Sequence, residues 1–575
     1  MSKRGVESSL VLLAGALVVW ACRSDPDPPN QPSGGTSANA GRGGAGRAGG
    51  GAGGRMSATR GGTAGQATGG ETAGGGGDAE TGGNGMSPGT GGSRPVGGAG
   101  EGGAGEGGAG EGGEPAAAGG QAGQAGGNAE AGMAGGGGEA GAENIGTISA
   151  CQDPLVFADA NAEAAVRSVA AIPTGPISAA AVSGVYYFQP SAPVSDLDGI
   201  QCLPSLRIVT VYQGTAPLLN LAPLSQLTQV TSIALQGAVS DLRALRPLTT
   251  LTNLYLNDNL IEDLTPLRGL SSLKVLALER NRIRNLNPLS ALDSLEILQI
   301  TTNQVSDLGP LAGLASLQDL DFGSNQVSDL TPLAGLHTLI GVDFPYNQAS
   351  NLSPLAGLTS LYLVNARGNQ VEDLSPLASL TTLQQLALDQ NQISDLGPLA
   401  SLTELRTIYA GDNQVSSVTP LASLTQLTSL DLSRNQLSNL GPLASLTALQ
   451  TLYLSTNQIS DLGPLASLTS LRQLSISVNQ ISDASPLGTV TTLDHINIDR
   501  NQITDVSPFA LLPALDFLTL SANPVSDLTP FLSSSGLGSG SYLEILNMPN
   551  LSCSAQAANI AALQARGVGV STNCQ

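Results

Sequence analysis

The chain is 575 residues long and carries a formal net charge of −22. That charge excludes nucleic acid as a partner, because its phosphates would be repelled. With two His in the whole sequence, most histidine-based metal and acid–base sites are excluded as well.

The N-terminus, residues 1–22, reads as an export signal. Lys3 and Arg4 precede an apolar run of thirteen residues from Leu10 to Cys22. At about 1.5 Å per residue such a run covers roughly 20 Å, short of a hydrocarbon core of about 30 Å. That length suits a signal-peptide core rather than a membrane-spanning helix. The run ends Val19-Trp20-Ala21-Cys22 and turns polar at Arg23. This ending resembles the lipobox of bacterial lipoproteins, with Trp20 a bulky departure from the pattern. The resemblance implies lipid attachment at Cys22. Arg23 in place of Asp after the Cys implies sorting to an outer membrane where one exists. The alternative is an ordinary secretory signal with an incidental Cys.

Residues 23–148 read as a disordered linker rich in Gly and Ala. Of the 74 Gly in the chain, 48 fall between residues 33 and 142. With almost nothing apolar to bury, such a segment cannot offset its chain entropy. A Gly-rich coil of this length has an end-to-end distance of about 60 Å, enough to clear a lipid headgroup layer.

Residues 206–550 form a repeat array. Asn recurs every 22 residues from Asn259 to Asn523, thirteen times without an insertion. A Pro follows each Asn by seven residues, from Pro266 to Pro530. A typical unit reads LTSLDLSRNQLSNLGPLAS, residues 427–445. This is the pattern L-x-x-L-x-L-x-x-N-x-L of leucine-rich repeats. In its 22-residue form, with N-Q-[IV]-S-D-L-x-P-L, it resembles the internalin-type repeats of bacterial surface proteins.

The unit can be read physically. Leu427, Leu430 and Leu432 point inward on a short strand, while Ser429, Asp431 and Ser433 point outward. Asn435 turns the chain, and its amide is expected to satisfy backbone groups on its own coil and the next. Pro442 starts a short helical turn, with the residue before it expected to cap that turn. Each coil needs its neighbours to cover its apolar stripe. Strands on one side and helical turns on the other differ in width, so the stack curves with its sheet on the inner side.

The ends of such a stack need lids. Residues 149–205 are the predicted N-terminal cap, with a helix over about 160–170. Residues 551–575 are the predicted C-terminal cap, with a helix near 555–566 and a final strand. Apart from Cys22, the chain has Cys151, Cys202, Cys553 and Cys574, two at each end. Four Cys allow three pairings. With the lids about 70 Å apart, only Cys151–Cys202 and Cys553–Cys574 can close.

No motif for catalysis stands out: there is no G-x-S-x-G, P-loop, H-E-x-x-H or EF-hand loop. His337 and His495 are 158 residues apart, about seven coils, and cannot share a site. The Asp that recurs four residues after the ladder Asn reads as turn capping rather than as a cation ladder, since Asn285, Asn351, Asn439 and Ser417 replace it. No metal, cofactor or catalytic residue is expected. Candidate binding residues are outward positions on the strands. Tyr409, Asp431 and Tyr453 fall on consecutive coils and should adjoin. Asp319, Asp321 and Asp343 make an acidic patch upstream, and Tyr255 lies nearer the start. Seven basic residues between Arg243 and Arg284 also stand out.

The expected fold is an α/β solenoid: a curved, right-handed leucine-rich repeat array with the parallel β-sheet on its concave face. A helical N-terminal cap and a disulfide C-terminal cap close it. The internalin-type resemblance implies a non-catalytic cell-envelope protein that binds other proteins through the concave face. Its expected partners are a protein ligand and, through the N-terminal lipid, a membrane of the bacterial envelope, at the outer membrane or cell surface. It is expected to be a monomer. The alternatives are a binder of carbohydrate or envelope polymer, which would need aromatics along the sheet, and a passive structural spacer.

Overall fold

Three-residue strands that alternate outward, inward, outward set up the whole molecule. In coil 427–448, Leu430 is buried between the outward Ser429 and Asp431. Leu427, Leu432, Leu437, Leu440, Leu443 and Leu446 are buried with it at 1% exposure or less. At roughly 1.5–3 kcal/mol for each fully buried Leu, this stripe is the main driving force of the coil. None of it could be buried without the coils on either side.

The structure is a computed structural model that describes residues 147–212, 218 and 220–574. The predicted signal peptide, the lipid-bearing Cys22 and nearly all of the predicted linker lie outside the described residues. Within them, 18 strands form one sheet, from Tyr187–Phe188 to Gly569–Thr572. Every strand pairs in parallel with those before and after it, and equivalent positions meet: Leu254 faces Leu276, and Leu276 faces Leu298. The sequence period of 22 is thus the spatial register. The return side of each regular coil carries a short 3₁₀ turn that begins one residue before its Pro rather than at it, as in Gly441–Ser445, except that Ser507–Ala510 is α-helical. This is the curved leucine-rich repeat solenoid that the sequence predicts, with the sheet on its concave face.

The Asn ladder forms, with one correction. Each amide bonds to its own coil and to the preceding one, not to the next. Asn325 Oδ1 accepts from Val305 N–H at 2.9 Å, and its Nδ2 donates to Ile300 O at 2.9 Å on the preceding coil. The same Nδ2 also donates to Phe322 O at 2.9 Å and Gly323 O at 3.1 Å on its own coil. The turn cap is a second correction. No side chain caps the 3₁₀ turns from the position before Pro. Instead the recurring Asp does so: Asp263 Oδ1 accepts from Thr265 N–H at 2.8 Å, and Asn439 accepts from Gly441 N–H in the same way. The Asp side chain reaches two residues on, which closes an Asx turn.

The residue before each ladder Asn has positive φ in all thirteen coils, and only one of them is Gly, Gly368. The Asn amide and the strand pairing on both sides hold the chain there against its preference. Val478 is the least suited occupant, a β-branched residue at φ 56° that is 38% exposed. An L-residue in this region costs about 1–2 kcal/mol, and Gly loses about 0.5–1 kcal/mol in unfolded-state entropy. Val478→Gly is therefore expected to stabilise the solenoid by about 0.5–1 kcal/mol in denaturant titration. A loss of stability would mean that Val478 packs against something that offsets its strain.

Each lid contains both a helix and a disulfide. The first helix, Ala160–Ala170, buries Ala162, Ala165 and Val166. Its N-cap Asp159 accepts from Asn161 and Ala162 N–H and also from Ser195 N–H, tying the helix to the start of the array. Cys151 and Cys202 are joined, with Cα atoms 5.5 Å apart. At the other end the helix spans Cys553–Ala565, starting two residues earlier than predicted because Ser552 takes the N-cap position. Cys553 and Cys574 are joined, with Cα atoms 5.0 Å apart. Arg566 donates to the carbonyls of Phe531, Leu532, Ser534 and Leu537, which ties the final helix to the last turn of the array.

Candidate functional site

The outward side of the sheet is the broad surface that the fold leaves uncovered. Its register sets Tyr409, Asp431 and Tyr453 side by side on three consecutive strands. Adjacent strands are about 4.8 Å apart, so the two Tyr flank Asp431 at about 10 Å from one another. Asp431 accepts from Ser433 N–H at 2.8 Å. Burial pushes its carboxyl up, and burial followed by Tyr409 and Asp431 pushes the Tyr453 hydroxyl up. Tyr255 stands apart, opposite Ala234 and Ala277.

Upstream, Asp321 faces Asp343 across neighbouring strands, and Asp319 lies two residues from Asp321 on the same face. Thr301 Oγ1–H and Gly323 N–H donate to Asp321. Asp343 is pushed up to about 8 by burial first, then by the charges of Asp321 and Asp319. Asp319 is pushed up to about 6 by burial and by Asp321. Among the described residues none of the three forms an ion pair. Nor do the described residues contain a group of three or more His, Cys, Asp and Glu placed to hold a metal ion.

Four of the seven basic residues singled out in the sequence have acidic partners. Arg243 pairs with Asp241, Lys274 with Glu296, Arg280 with Asp258 and Glu279, and Arg282 with Glu262. His337 and His495 lie on different coils, as expected. His495 stacks on Phe517 at 5.7 Å between ring centroids, and Phe517 stacks on Tyr542 at 5.1 Å. The periodicity does not predict this row of three rings, because Tyr542 pairs with Phe517 outside the 22-residue spacing.

A second feature that sequence reasoning missed lies on coil 340–361 and its neighbour. Ile340 and Tyr346 are 47% and 46% exposed, and Leu363 occupies an outward strand position. The signal was present: Ile340 and Tyr362 stand where other coils carry residues such as Lys274, Glu296, Gln318 and Arg406. It is legible only when each outward row is compared separately.

A family model of leucine-rich repeats matches residues 403–445 and 447–489. No curated protein sequence matches the chain. Among solved structures, an internalin from Listeria monocytogenes is similar at 30% identity, over 59% of this chain and 95% of that one, with a TM-score of 0.52. A leucine-rich repeat protein from Leptospira interrogans shares the fold at 23% identity, over 60% of this chain and 93% of that one, with a TM-score of 0.57. The functional domain of InlJ from Listeria monocytogenes shares it at 21% identity, over 62% and 83%, with a TM-score of 0.52. That domain includes a cysteine ladder, whereas the ladder here is asparagine. The fold and its uncovered sheet define a leucine-rich repeat protein. The chain belongs to the internalin-like branch of that class.

Proposed function

We propose that this is a non-catalytic cell-envelope protein that binds another protein through the concave face of its solenoid. The observation that carries the reading is the run Tyr409–Asp431–Tyr453, in register on consecutive strands of a broad parallel sheet. Tyr buries a large area at low entropic cost and is common at the centres of interfaces. Asp319, Asp321, Asp343 and Tyr255 extend the candidate surface along the same face. Leucine-rich repeat folds are commonly binding scaffolds, which agrees with this reading.

The remaining organisation is proposed with it. Residues 1–22 direct export and end in a lipid-bearing Cys22, and residues 23–148 tether the capped solenoid to the membrane. Among the described residues no helix is long and apolar enough to cross a membrane. The alternative of a sugar-binding sheet draws less support. The rings of His495, Phe517 and Tyr542 are stacked on one another, so the central ring has no free face for a sugar.

The reading is tested by retention of envelope and culture-fluid proteins on the immobilised full chain. A parallel bait carries Tyr409→Ala, Asp431→Ala and Tyr453→Ala. A protein held by the first bait and lost from the second is the expected result. Equal recovery on both baits, or none on either, would overturn the Tyr409–Asp431–Tyr453 site and move the passive-spacer and sugar-binding alternatives ahead.

A further inference from the structure

Most outward positions of this sheet are polar or small, and coil 340–361 breaks that rule in a concentrated way. Ile340 is exposed at the leading edge of its strand, Gly341–Asp343. Its carbonyl accepts from Tyr362 N–H at 2.8 Å and Leu363 N–H at 3.2 Å, so Ile340, Tyr362 and Leu363 share one corner of the sheet. Beside them, Gly341 sits in register between Asp319 and Leu363 and leaves a notch in the outward row. A Cβ at Gly341 would stand 3.3 Å from Asp319 Oδ1. The notch is thus walled by Asp319 on one side and Leu363 on the other, with Asp343 two residues along.

The trailing side of the same coil is also built. The Tyr346 ring lies over Gly368, where any Cβ would come within 2.6 Å of it. The Arg367 guanidinium sits 5.7 Å from the ring centroid. Pro345 lies against Gly323, where a Cβ would meet its ring at 3.0 Å. A half-exposed ring held in this way loses little entropy when a partner covers it.

We propose that coil 340–361, with the start of the next coil, is the docking centre of the concave face and takes an extended cationic segment of a partner polypeptide. A Lys or Arg of that segment seats over Gly341 against Asp319, Asp321 and Asp343, and its apolar neighbours cover Ile340 and Tyr362, with the buried Leu363 forming the floor of the corner. The inference rests on the reading of the sheet as a protein-binding face. Three carboxylates without an ion-pair partner oppose an acidic partner, and the apolar corner would stay wet against a purely polar one. Charge complementarity of this kind selects the partner and speeds its encounter.

The test is selection of short random peptides, displayed on a surface, against the full chain. The enriched peptides are expected to be basic and to carry apolar residues, and to bind less well at high salt. Their affinity is expected to fall about tenfold in the double variant Asp319→Asn, Asp343→Asn, and by a similar factor in Ile340→Ser, while His495→Gln, on a distant coil, leaves it within about threefold. The Asn variants keep side-chain shape and remove charge, so loss of binding is not loss of fold. Enrichment of neutral or acidic peptides, no enrichment, or unchanged affinity in the double variant overturns the proposal. A partner protein retained through Tyr409, Asp431 and Tyr453 but indifferent to Asp319 and Asp343 would overturn it while leaving the protein-binding reading in place.

Discussion

Asn325→Ala is expected to destabilise the solenoid by about 2–4 kcal/mol, a large effect for a single polar substitution in the array. Asn325 is buried, and its amide meets four backbone groups: Val305 N–H, Ile300 O, Phe322 O and Gly323 O. Truncation leaves Val305 N–H without a partner and removes one of two bonds at each carbonyl, since Ile300 O keeps Asn303 Nδ2, Phe322 O keeps Asn347 Nδ2 and Gly323 O keeps Thr302 N–H. Each buried group left unsatisfied costs about 1–3 kcal/mol. Because each amide joins two coils, the loss falls on an interface between repeats, and interfaces carry the cooperativity of a solenoid. Denaturant unfolding should show both the lower stability and a broader transition, and hydrogen exchange should lose protection on coils 295–316 and 317–338 first. Asn325→Asp is expected to be worse, since it keeps the acceptor for Val305 N–H but sets a carboxylate against three carbonyl oxygens. A loss below about 1 kcal/mol would mean that water enters the bend and replaces the amide.

The second large effect is a stability that falls as pH rises from about 5 to 8. Burial pushes Asp319, Asp389 and Asp499 up to about 6 and Asp343 up to about 8, and it raises Glu279, Asp321 and Asp431 as well. An unfolded Asp titrates near 3.9. Between those values the folded chain holds more protons than the unfolded chain, so these groups contribute stability that is full below pH 4 and is lost as pH rises through their folded values. Other carboxylates act the opposite way. Hydrogen bonds from Ser195, Asn161 and Ala162 hold Asp159 down despite its partial burial, and those from Arg280 hold Asp258 down. Their contribution is lost below about pH 4, which places the optimum between roughly pH 4 and 5. The double variant Asp319→Asn, Asp343→Asn is expected to flatten the fall and to gain about 1–3 kcal/mol at pH 8. Thermal unfolding across pH reads both. A stability that rises from pH 5 to 8, or a double variant with an unchanged profile, would show that the carboxylates are better solvated than their positions imply. The cost of holding these like charges together at neutral pH is what a cationic partner would relieve.

The repeat register, the ladder and the buried Leu positions were all legible in the amino-acid order. A period of 22 with Asn and Pro in fixed phase admits one register, since a one-residue slip would turn Leu430 outward and Ser429 inward. The N-terminal helix was legible for a similar reason, because Asp159 is an N-cap immediately before an apolar-periodic run. The adjacency of Tyr409, Asp431 and Tyr453 followed from the same arithmetic.

What the sequence could not decide depends on contacts across coils. The direction of the ladder bonds is set by which neighbouring bend lies closer to the amide. The positive φ before each Asn is imposed by pairing on both sides and carries no Gly signature, since Val478, Thr302 and Thr456 all adopt it. The notch at Gly341 exists only because Asp319 and Leu363 stand on either side of it in space. Tyr346 is held because Gly368, 22 residues later, lies beneath its ring. The chain by itself determined which residues are buried and in what register, because periodicity maps directly onto stacking. Tertiary structure alone decided which outward residues share a surface and how burial shifts their charge, because those depend on neighbours one coil away.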